Sequence, residues 1–191
     1  MKEEHLDSLK MVAGIILVIL LGLFISRNSS LVLALTSGFG LFGLFLASVI
    51  ANATIFFPLL IEPLVFILGG STSGLLEAAV VGLVMGAGAG IGEMTAYAIG
   101  LFGIKAIEIK NKEFKLIIEL KRRIGSGGMI FIFLSALIPF PFDFIGITAG
   151  LIKYDFKKFF LAALLGKALR YTIVAVAGFY GLSFIKHIFL F

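Results

Sequence analysis

Ionisable residues stand out in a chain that is 60% hydrophobic and only 14% charged. Six of them lie within long apolar segments: Glu62, Glu77, Glu93, Asp143, Lys167 and Arg170. A charge at mid-bilayer costs at least about 2.5–3.5 kcal/mol on insertion scales, so such residues usually pair or face a polar cavity. Lys167 and Arg170 are spaced i,i+3 and share one helix face. Cations on such a face suit phosphate oxygens.

Two of the acidic residues occupy comparable positions in the two halves of the chain. Glu62 lies seven residues before Gly69, and Asp143 lies seven residues before Gly150. Both follow prolines within an apolar segment. We therefore expect them to play equivalent structural roles.

Charge balance predicts that Glu93 and one of these two acids lie against Lys167 and Arg170. Structural ion pairs are one interpretation, and a polar pathway for a substrate or an ion is the other. We favour the pathway, because ionisable residues inside membranes are functional by default. Its predicted residues are Glu62, Glu93, Asp143, Lys167 and Arg170. Glu77 is predicted to be structural, at the outer interface.

The composition indicates a membrane protein. Soluble domains are roughly 45–50% apolar and about 25% charged, whereas this chain has a mean hydropathy of +1.16. It has no cysteine, and its two histidines, His5 and His187, lie near the ends. We therefore expect no enzyme, no metal and no cofactor. The sequence pI of about 9.5 reflects basic residues at predicted membrane edges, so anionic lipid headgroups are the expected partner and nucleic acid is not.

Polar breaks divide the chain into apolar segments. Residues 1–51 are predicted to form N-terminal transmembrane helices, with the run from Met11 to Ser26 kept as a helix rather than a signal peptide. Residues 52–191 form the main domain: a first repeat (52–103), a cytoplasmic amphipathic linker (104–125) and a second repeat (126–191). Each repeat has a proline-broken segment, a small-residue turn and a long helix that ends in GxxG, at 100–103 and 178–181.

The segment PFPFDFIGITAG (139–150) explains the fold prediction. Prolines bias the preceding residue away from the helix and remove backbone donors. Freed backbone groups at membrane depth must be buried in protein or line a wet cavity. The predicted hairpin-shaping residues are Pro58, Pro63, Gly69, Gly70, Pro139, Pro141, Gly146 and Gly150. The predicted fold is an all-α polytopic protein, an inverted repeat of two re-entrant hairpins, each followed by a long transmembrane helix.

The charge distribution supports this topology. The segment from Lys105 to Arg123 carries seven basic and three acidic residues and is predicted to be cytoplasmic. The two hairpins then enter from opposite faces, as an inverted repeat requires. If both hairpins spanned the bilayer instead, the repeats would be parallel. Either arrangement predicts a multi-pass protein of the cell membrane, and a homo-oligomer is compatible with both.

Glycine and charge patterns predict two further features. Gly82, Gly86 and Gly90 recur every four residues, which favours close helix packing, with a flexible joint as the alternative. Residues 107–125 are predicted to form an interfacial helix on anionic headgroups, with a solvated connector as the alternative. GFGLFG (38–43) matches GxGxxG, but it lies within an apolar span without a βαβ context and is rejected as a nucleotide site.

Two segments resemble a known family. GAGAGIGEMTAYAIG (86–100) and PFPFDFIGITAGLIKYDFKKFFLAALLGKALR (139–170) are similar to the DedA family, also called the VTT or SNARE-associated Golgi family, with a closer likeness to its vacuole membrane protein branch. The resemblance covers roughly residues 45–181. It implies two inverted re-entrant hairpins. Bacterial relatives are linked to undecaprenyl phosphate recycling and to the proton-motive force, and eukaryotic relatives to phospholipid scrambling.

The resemblance carries over only in part. Glu62 matches the acidic residue after the proline of the first hairpin. Bacterial members often have another acid near Asn52, where this chain has Asn or Ser. They also carry arginines in the second hairpin, where this chain reads Ser135 or Ala136, and Phe142 or Asp143. These differences favour lipid scrambling over the bacterial mechanism.

Three functions follow as expectations. The favoured one is a lipid translocase or scramblase that moves phosphate-bearing lipids, either phospholipid or polyprenyl phosphate, through a polar cavity between the hairpins. The runner-up is a proton- or ion-coupled small-solute transporter, with protons as the additional partner. The third is an assembly or chaperone protein without transport.

Overall fold

The computed structural model describes residues 29–53, 58–102, 111–139 and 141–189, and it describes side chains within 40–53, 61–102, 118–139 and 141–181. Every regular element in these ranges is a helix: α1 (Ser29–Asn52), α2 (Pro58–Gly70), α3 (Leu75–Gly92), α4 (Met94–Phe102), α5 (Asn111–Leu137), α6 (Asp143–Leu151) and α7 (Phe156–Phe189). The predicted all-helical class is confirmed. The predicted helix at 11–26 lies outside the described residues.

Two helical runs are long and apolar enough to cross a bilayer. They are Leu75–Phe102, with 28 residues, and Phe156–Gly181, with 26 residues. At 1.5 Å per residue they measure about 42 and 39 Å, more than the roughly 30 Å of a hydrocarbon core. These are the two long helices that the sequence predicts after each proline-broken segment.

The central contact joins α3 to α7 through glycines. A Cβ atom at Gly82 would lie 2.5 Å from the Cα of Thr172, and one at Gly86 would lie 2.5 Å from the Cα of Ala168. A Cβ atom at Gly90 would lie 2.6 Å from the Cα of Leu164. The partner numbers fall as the glycine numbers rise, so the helices are antiparallel. This is the packing contact that the four-residue spacing predicts.

Two glycines bend the helices that precede the short ones. Gly40 in α1 has φ 53° and ψ −143°, and Gly128 in α5 has φ 52° and ψ −132°. A side chain disfavours this backbone conformation, so glycine is required at both bends. Glu119 of α5 and Ile138, the residue after α5, would lie about 28 Å apart along a straight helix, yet they line one cavity. The helix α5 therefore doubles back at Gly128.

The prolines have different effects in the two halves. The helix α5 ends at Leu137, Pro139 and Pro141 follow, and α6 begins at Asp143. This segment is therefore a broken helix, as its prolines predict. In the first half, Pro58 begins α2, but Pro63 lies inside it. The prediction that Pro63 breaks the chain is wrong, because the helix continues through its sixth residue despite the missing backbone donor.

Each short helix packs on a long one with its backbone in contact. A Cβ atom at Gly69 of α2 would collide with the carbonyl of Ala175, and one at Gly178 of α7 would collide with the carbonyl of Phe66. On the other side, a Cβ atom at Gly150 of α6 would meet the carbonyl of Tyr97, and one at Gly100 would meet that of Ile147. In both pairs, α2–α7 and α4–α6, glycines on each helix thus let the two backbones come into direct contact.

The outer surface is apolar. Along α7, Leu161, Leu165, Leu169 and Ile173 are 44%, 48%, 44% and 54% exposed at four-residue spacing. A continuous apolar stripe of this kind is rare on a soluble monomer. It suits contact with lipid tails.

Candidate functional site

A buried ion pair joins the two long helices near their crossing. Glu93 lies between α3 and α4, and Lys167 lies on α7, one residue before Ala168, whose backbone Gly86 contacts. Lys167 Nζ is 2.5 Å from Glu93 Oε1, and the two side chains are 4% and 2% exposed. Glu93 Oε2 has no hydrogen-bond partner in the part of the chain that the structure describes.

Arg170 connects elements from both halves of the chain. One terminal nitrogen forms an ion pair with Glu62 Oε1 on α2. The other donates a hydrogen bond of 2.8 Å to the carbonyl oxygen of Ile138, just after α5 ends. That carbonyl lies beside Pro139, where the helical hydrogen-bond ladder is interrupted. Arg170 thus balances a carboxylate and satisfies a backbone acceptor that the proline break exposes.

Asp143 and Phe142 approach Lys167 from the start of α6. Lys167 Nζ lies 5.4 Å from the centre of the Phe142 ring, within cation–π range. Asp143 is close enough to Lys167 for an electrostatic interaction. Lys167 therefore faces two carboxylates, Glu93 directly and Asp143 more distantly.

These contacts gather all five predicted pathway residues into one cluster. Glu93 pairs with Lys167 and Glu62 pairs with Arg170, which is the arrangement that charge balance predicts. With every group ionised, three carboxylates face two cations, so the cluster carries one excess negative charge. Within the described ranges, no group of three or more metal-ligating side chains is positioned to hold a metal ion.

A cavity of about 210 Å³ adjoins the Glu62–Arg170 pair. Its wall includes Leu137 and Pro139 from the break after α5, and Ile173 from α7. Glu62 is 30% exposed, whereas Arg170 is 8% exposed. The carboxylate is thus the more accessible partner of the pair.

Sequence reasoning missed a polar chain next to the charges. The hydroxyl of Tyr171 donates to Asn52 Oδ1 at 3.3 Å, and Asn52 Nδ2 donates to the carbonyl of Ser48 at 2.9 Å. Ser48 Oγ donates to the carbonyl of Met85 at 2.6 Å. All three side chains are buried. The available signal was the i,i+4 spacing of Ser48 and Asn52 at the end of an apolar run.

The comparison with protein families decides the relationship. The model of the VTT domain matches residues 57–180, which include both short helices, the first long helical run, most of α7 and all five charged residues of the cluster. The chain belongs to the VTT domain (DedA) family. It is therefore a membrane protein. Comparisons with curated proteins and with solved structures gave no match.

The positions at which the resemblance implies differences from bacterial members have local partners. Asn52, near the position of an acid in many bacterial members, bonds to Tyr171. Ser135, near the position of an arginine, donates to the carbonyl of Phe131 in its own helix at 2.7 Å. Neither supplies a charge to the cluster.

Other singled-out residues of the VTT domain have structural partners. The hydroxyl of Tyr97, one turn after Glu93, donates to the carbonyl of Tyr154 at 2.5 Å and so ties α4 to the turn before α7. Glu77 accepts hydrogen bonds from the backbone and the hydroxyl of Ser73, at 3.0 and 2.7 Å. These bonds fasten the first turn of α3, in agreement with the structural role predicted for Glu77.

The small residues of the VTT domain act through packing more than through turns. Gly69 and Gly70 end α2, as predicted for a turn. Gly146 and Gly150 lie within α6. A Cβ atom at Gly146 would lie 2.7 Å from the Cβ of Ala96. Gly146 thus lets α6 approach α4, which differs from the hairpin-shaping role predicted for it.

Proposed function

We propose that this VTT-domain protein is a lipid translocase or scramblase that moves phosphate-bearing lipids between leaflets. One observation carries the proposal: Arg170, buried on α7, holds Glu62 of one half and the Ile138 carbonyl at the break of the other. A headgroup that crosses a bilayer needs a polar path, and a buried guanidinium between α2 and the break before α6 supplies a phosphate-binding point.

The path lies between two hairpins related as an inverted repeat. Three sets of equivalent residues support this relationship, each with a constant separation in sequence. Between α1 and α5 the separation is 88 positions (Gly40 and Gly128, Phe45 and Phe133). Between the short helices α2 and α6 it is 81 positions (Glu62 and Asp143, Phe66 and Ile147, Gly69 and Gly150). Between the two long helical runs it is 78 positions (Gly88 and Gly166, Tyr97 and Ala175, Gly100 and Gly178).

The equivalent residues make equivalent contacts. The pair Gly69–Ala175 corresponds to Gly150–Tyr97, and Gly178–Phe66 corresponds to Gly100–Ile147. Gly88 approaches the carbonyl of Phe45, and Gly166 approaches that of Phe133. Because α3 and α7 are antiparallel, the axis that relates the halves is perpendicular to them, so the hairpins enter from opposite faces of the membrane.

The hairpins are re-entrant in this proposal, and the protein is a multi-pass protein of the cell membrane. The helix α6 has only nine residues and α2 has 13. Their lengths of about 14 and 20 Å fall short of a bilayer core. Interrupted backbone at membrane depth is tolerated when it lies within protein, and Arg170 supplies the partner for Ile138.

Exchange at Arg170 is the proposed step. Glu62 is the accessible partner beside the cavity, so a lipid phosphate displaces Glu62 from Arg170. When the headgroup moves on, the phosphate leaves Arg170 and the Glu62–Arg170 ion pair forms again. The Glu93–Lys167 pair is almost fully buried, so in this proposal the ion pair stays intact while the lipid passes. Asp143 balances Lys167 from the second hairpin.

Reconstituted vesicles test the proposal. Fluorescent phospholipid in the inner leaflet becomes reducible by dithionite only after it crosses the bilayer. A charged hydrogen bond contributes about 1.5–3 kcal/mol, so Arg170→Gln should slow scrambling by about tenfold or more, and Asp143→Asn should slow it as well. Lys157→Gln, at an exposed basic residue at the start of α7, is the control. Unchanged scrambling in both variants would refute the assignment.

A proton- or ion-coupled solute transporter is the second candidate. It is favoured by the excess of three carboxylates over two cations in the cluster, and by Glu93 Oε2, which has no hydrogen-bond partner among the described residues. Transport would then follow a pH or ion gradient, whereas scrambling needs none. The same vesicles with and without a gradient separate the two functions, and the absence of any flux would favour an assembly role.

A further inference from the structure

A second cavity lies where α5 doubles back, and none of the five charged residues of the cluster lines it. Its volume is about 240 Å³. Leu120 from the segment before Gly128, Phe131 from the segment after it and Ile145 from α6 form apolar walls. Ser135 also lines the cavity, but its hydroxyl is bonded to the carbonyl of Phe131, so the interior presents no free polar group from Ser135. The cavity suits a hydrocarbon chain.

The rim of this cavity is basic. Glu119 and Arg123 line it, and Arg122 and Lys121 adjoin them in sequence. Glu119 forms ion pairs of 2.8 Å with both Arg122 and Arg123, whose side chains are 76% and 58% exposed. Hydrogen bonds from Arg122 and Arg123 hold the pKa of Glu119 below its usual range, so it is ionised at neutral pH. One carboxylate thus faces two guanidinium groups, and one positive charge remains.

We infer that this cavity is a binding site for one membrane lipid with a net anionic headgroup, with the headgroup on Arg122 and Arg123 and part of an acyl chain between Leu120, Phe131 and Ile145. The combination of an apolar interior and a basic rim matches an anionic amphiphile at both ends. The cavity is smaller than the roughly 300–1,000 Å³ pocket of a drug-sized ligand, so it holds a chain segment while the headgroup stays outside. This occupant would fasten the basic segment to the hairpin.

The position of the rim favours a lipid over a soluble anion. Ile118, on the same basic segment, is 52% exposed, and Ile138 at the rim is 54% exposed. Apolar side chains beside exposed arginines are typical of helices that lie in a membrane interface. Each basic residue near an anionic surface strengthens binding roughly fivefold, the equivalent of about 1 kcal/mol.

The chain has no tryptophan, so a single introduced tryptophan reports on its own surroundings. Ile138→Trp reports on the rim, and Leu165→Trp, on the outer face of α7 with 48% exposure, reports on bulk lipid. Both variants are reconstituted in phosphatidylcholine with a minor fraction of brominated-tail phosphatidylglycerol, which quenches tryptophan on contact. We expect quenching at residue 138 to exceed that at residue 165 several-fold, and brominated phosphatidylcholine to quench both alike.

Two changes in the Ile138→Trp background should remove this excess by different routes. Arg122→Gln with Arg123→Gln removes the rim charge, and Ser135→Leu fills the cavity. Lys157→Gln with Lys158→Gln removes two exposed basic residues elsewhere and should keep the excess. Equal quenching at residues 138 and 165, or an excess that survives the arginine substitutions, would overturn the proposal. Binding is measured without lipid movement, so the result stands apart from the scrambling assay.

Discussion

Arg170 and Glu62 form an ion pair between α7 and α2, and the same guanidinium binds the Ile138 carbonyl at the break before α6. A single side chain thus holds α2 and the break before α6. The planar fork of arginine presents donors in two directions, which a lysine ammonium on a longer flexible stem does not reproduce. The identity of residue 170, and not its charge alone, should therefore matter.

Arg170→Lys tests this point. Lysine keeps the charge but is expected to serve one acceptor at a time, so either Glu62 or the Ile138 carbonyl loses its partner. An unsatisfied buried acceptor costs about 1–3 kcal/mol. Thermal unfolding of the purified protein should show Arg170→Lys to be less stable than the parent, while Lys158→Arg at an exposed site stays unchanged. Equal stability of the two variants would mean that the double contact at Arg170 contributes nothing.

The Glu93–Lys167 pair allows structure and transport to be separated. Lys167→Met leaves a buried carboxylate without its cation, which typically costs about 3–5 kcal/mol. Replacing both residues by methionine removes the unpaired charge and should recover much of that stability. Asp143 also loses the cation that it faces, so some loss should persist.

The double variant distinguishes two roles for this pair. If Glu93 and Lys167 belong to the lipid path, the double methionine variant folds but scrambles slowly. If they form a structural pair alone, scrambling returns together with stability. Unfolding curves and dithionite rates from the same preparations decide between these outcomes.

Gly86 tests the closeness of the central helix pair. An added Cβ would lie 2.5 Å from the Cα of Ala168 and 2.6 Å from the carbonyl of Lys167. Overpacking of this kind typically costs about 1–3 kcal/mol, so Gly86→Ala should lower the unfolding temperature. Gly125→Ala, also within a helix, is the matched control, because its Cβ would meet no atom within 4 Å. Similar stability of the two variants would contradict the close α3–α7 contact.

Several features of the site were accessible from sequence because they depend on spacing and charge. Glu62 and Asp143 were located by their distance from Gly69 and Gly150, and the ion pairs followed from the need to neutralise buried charges. The contact between α3 and α7 followed from the four-residue glycine spacing. Sequence patterns are enough to predict a contact when the contact depends on the spacing of nearby residues or on the neutralisation of buried charge.

Other features depend on contacts between distant residues or on backbone angles. Tyr171 and Asn52 form a hydrogen bond although they are 119 positions apart in sequence. No local sequence pattern at either residue predicts this contact. Pro63 predicts a break, yet the packing of α2 on α7 outweighs its missing hydrogen bond. Gly40 lies within GFGLFG, where the glycines look alike in sequence although only Gly40 among the motif's residues has a positive φ.

The bends at Gly40 and Gly128 give the last prediction. A Cβ at Gly40 would meet no atom within 4 Å, so Gly40→Ala measures the backbone conformation alone. Holding a non-glycine residue in such a region costs about 1–3 kcal/mol. Gly125→Ala, in α5 and also without contacts, should be neutral or stabilising, because alanine favours helix over glycine by up to about 1 kcal/mol. Thermal unfolding should rank Gly40→Ala below Gly125→Ala.

The same change at Gly128 should have a local consequence. Leu120 and Ile124 lie in one buried cluster with Ile132 because α5 doubles back at Gly128. If Gly128→Ala straightens the bend, these two side chains leave the cluster and residues 118–127 lose protection. Hydrogen exchange should then quicken in this segment, while the α3–α7 contact keeps its protection. Unchanged exchange in residues 118–127 would mean that the packing of Leu120 and Ile124, rather than the glycine, fixes the bend.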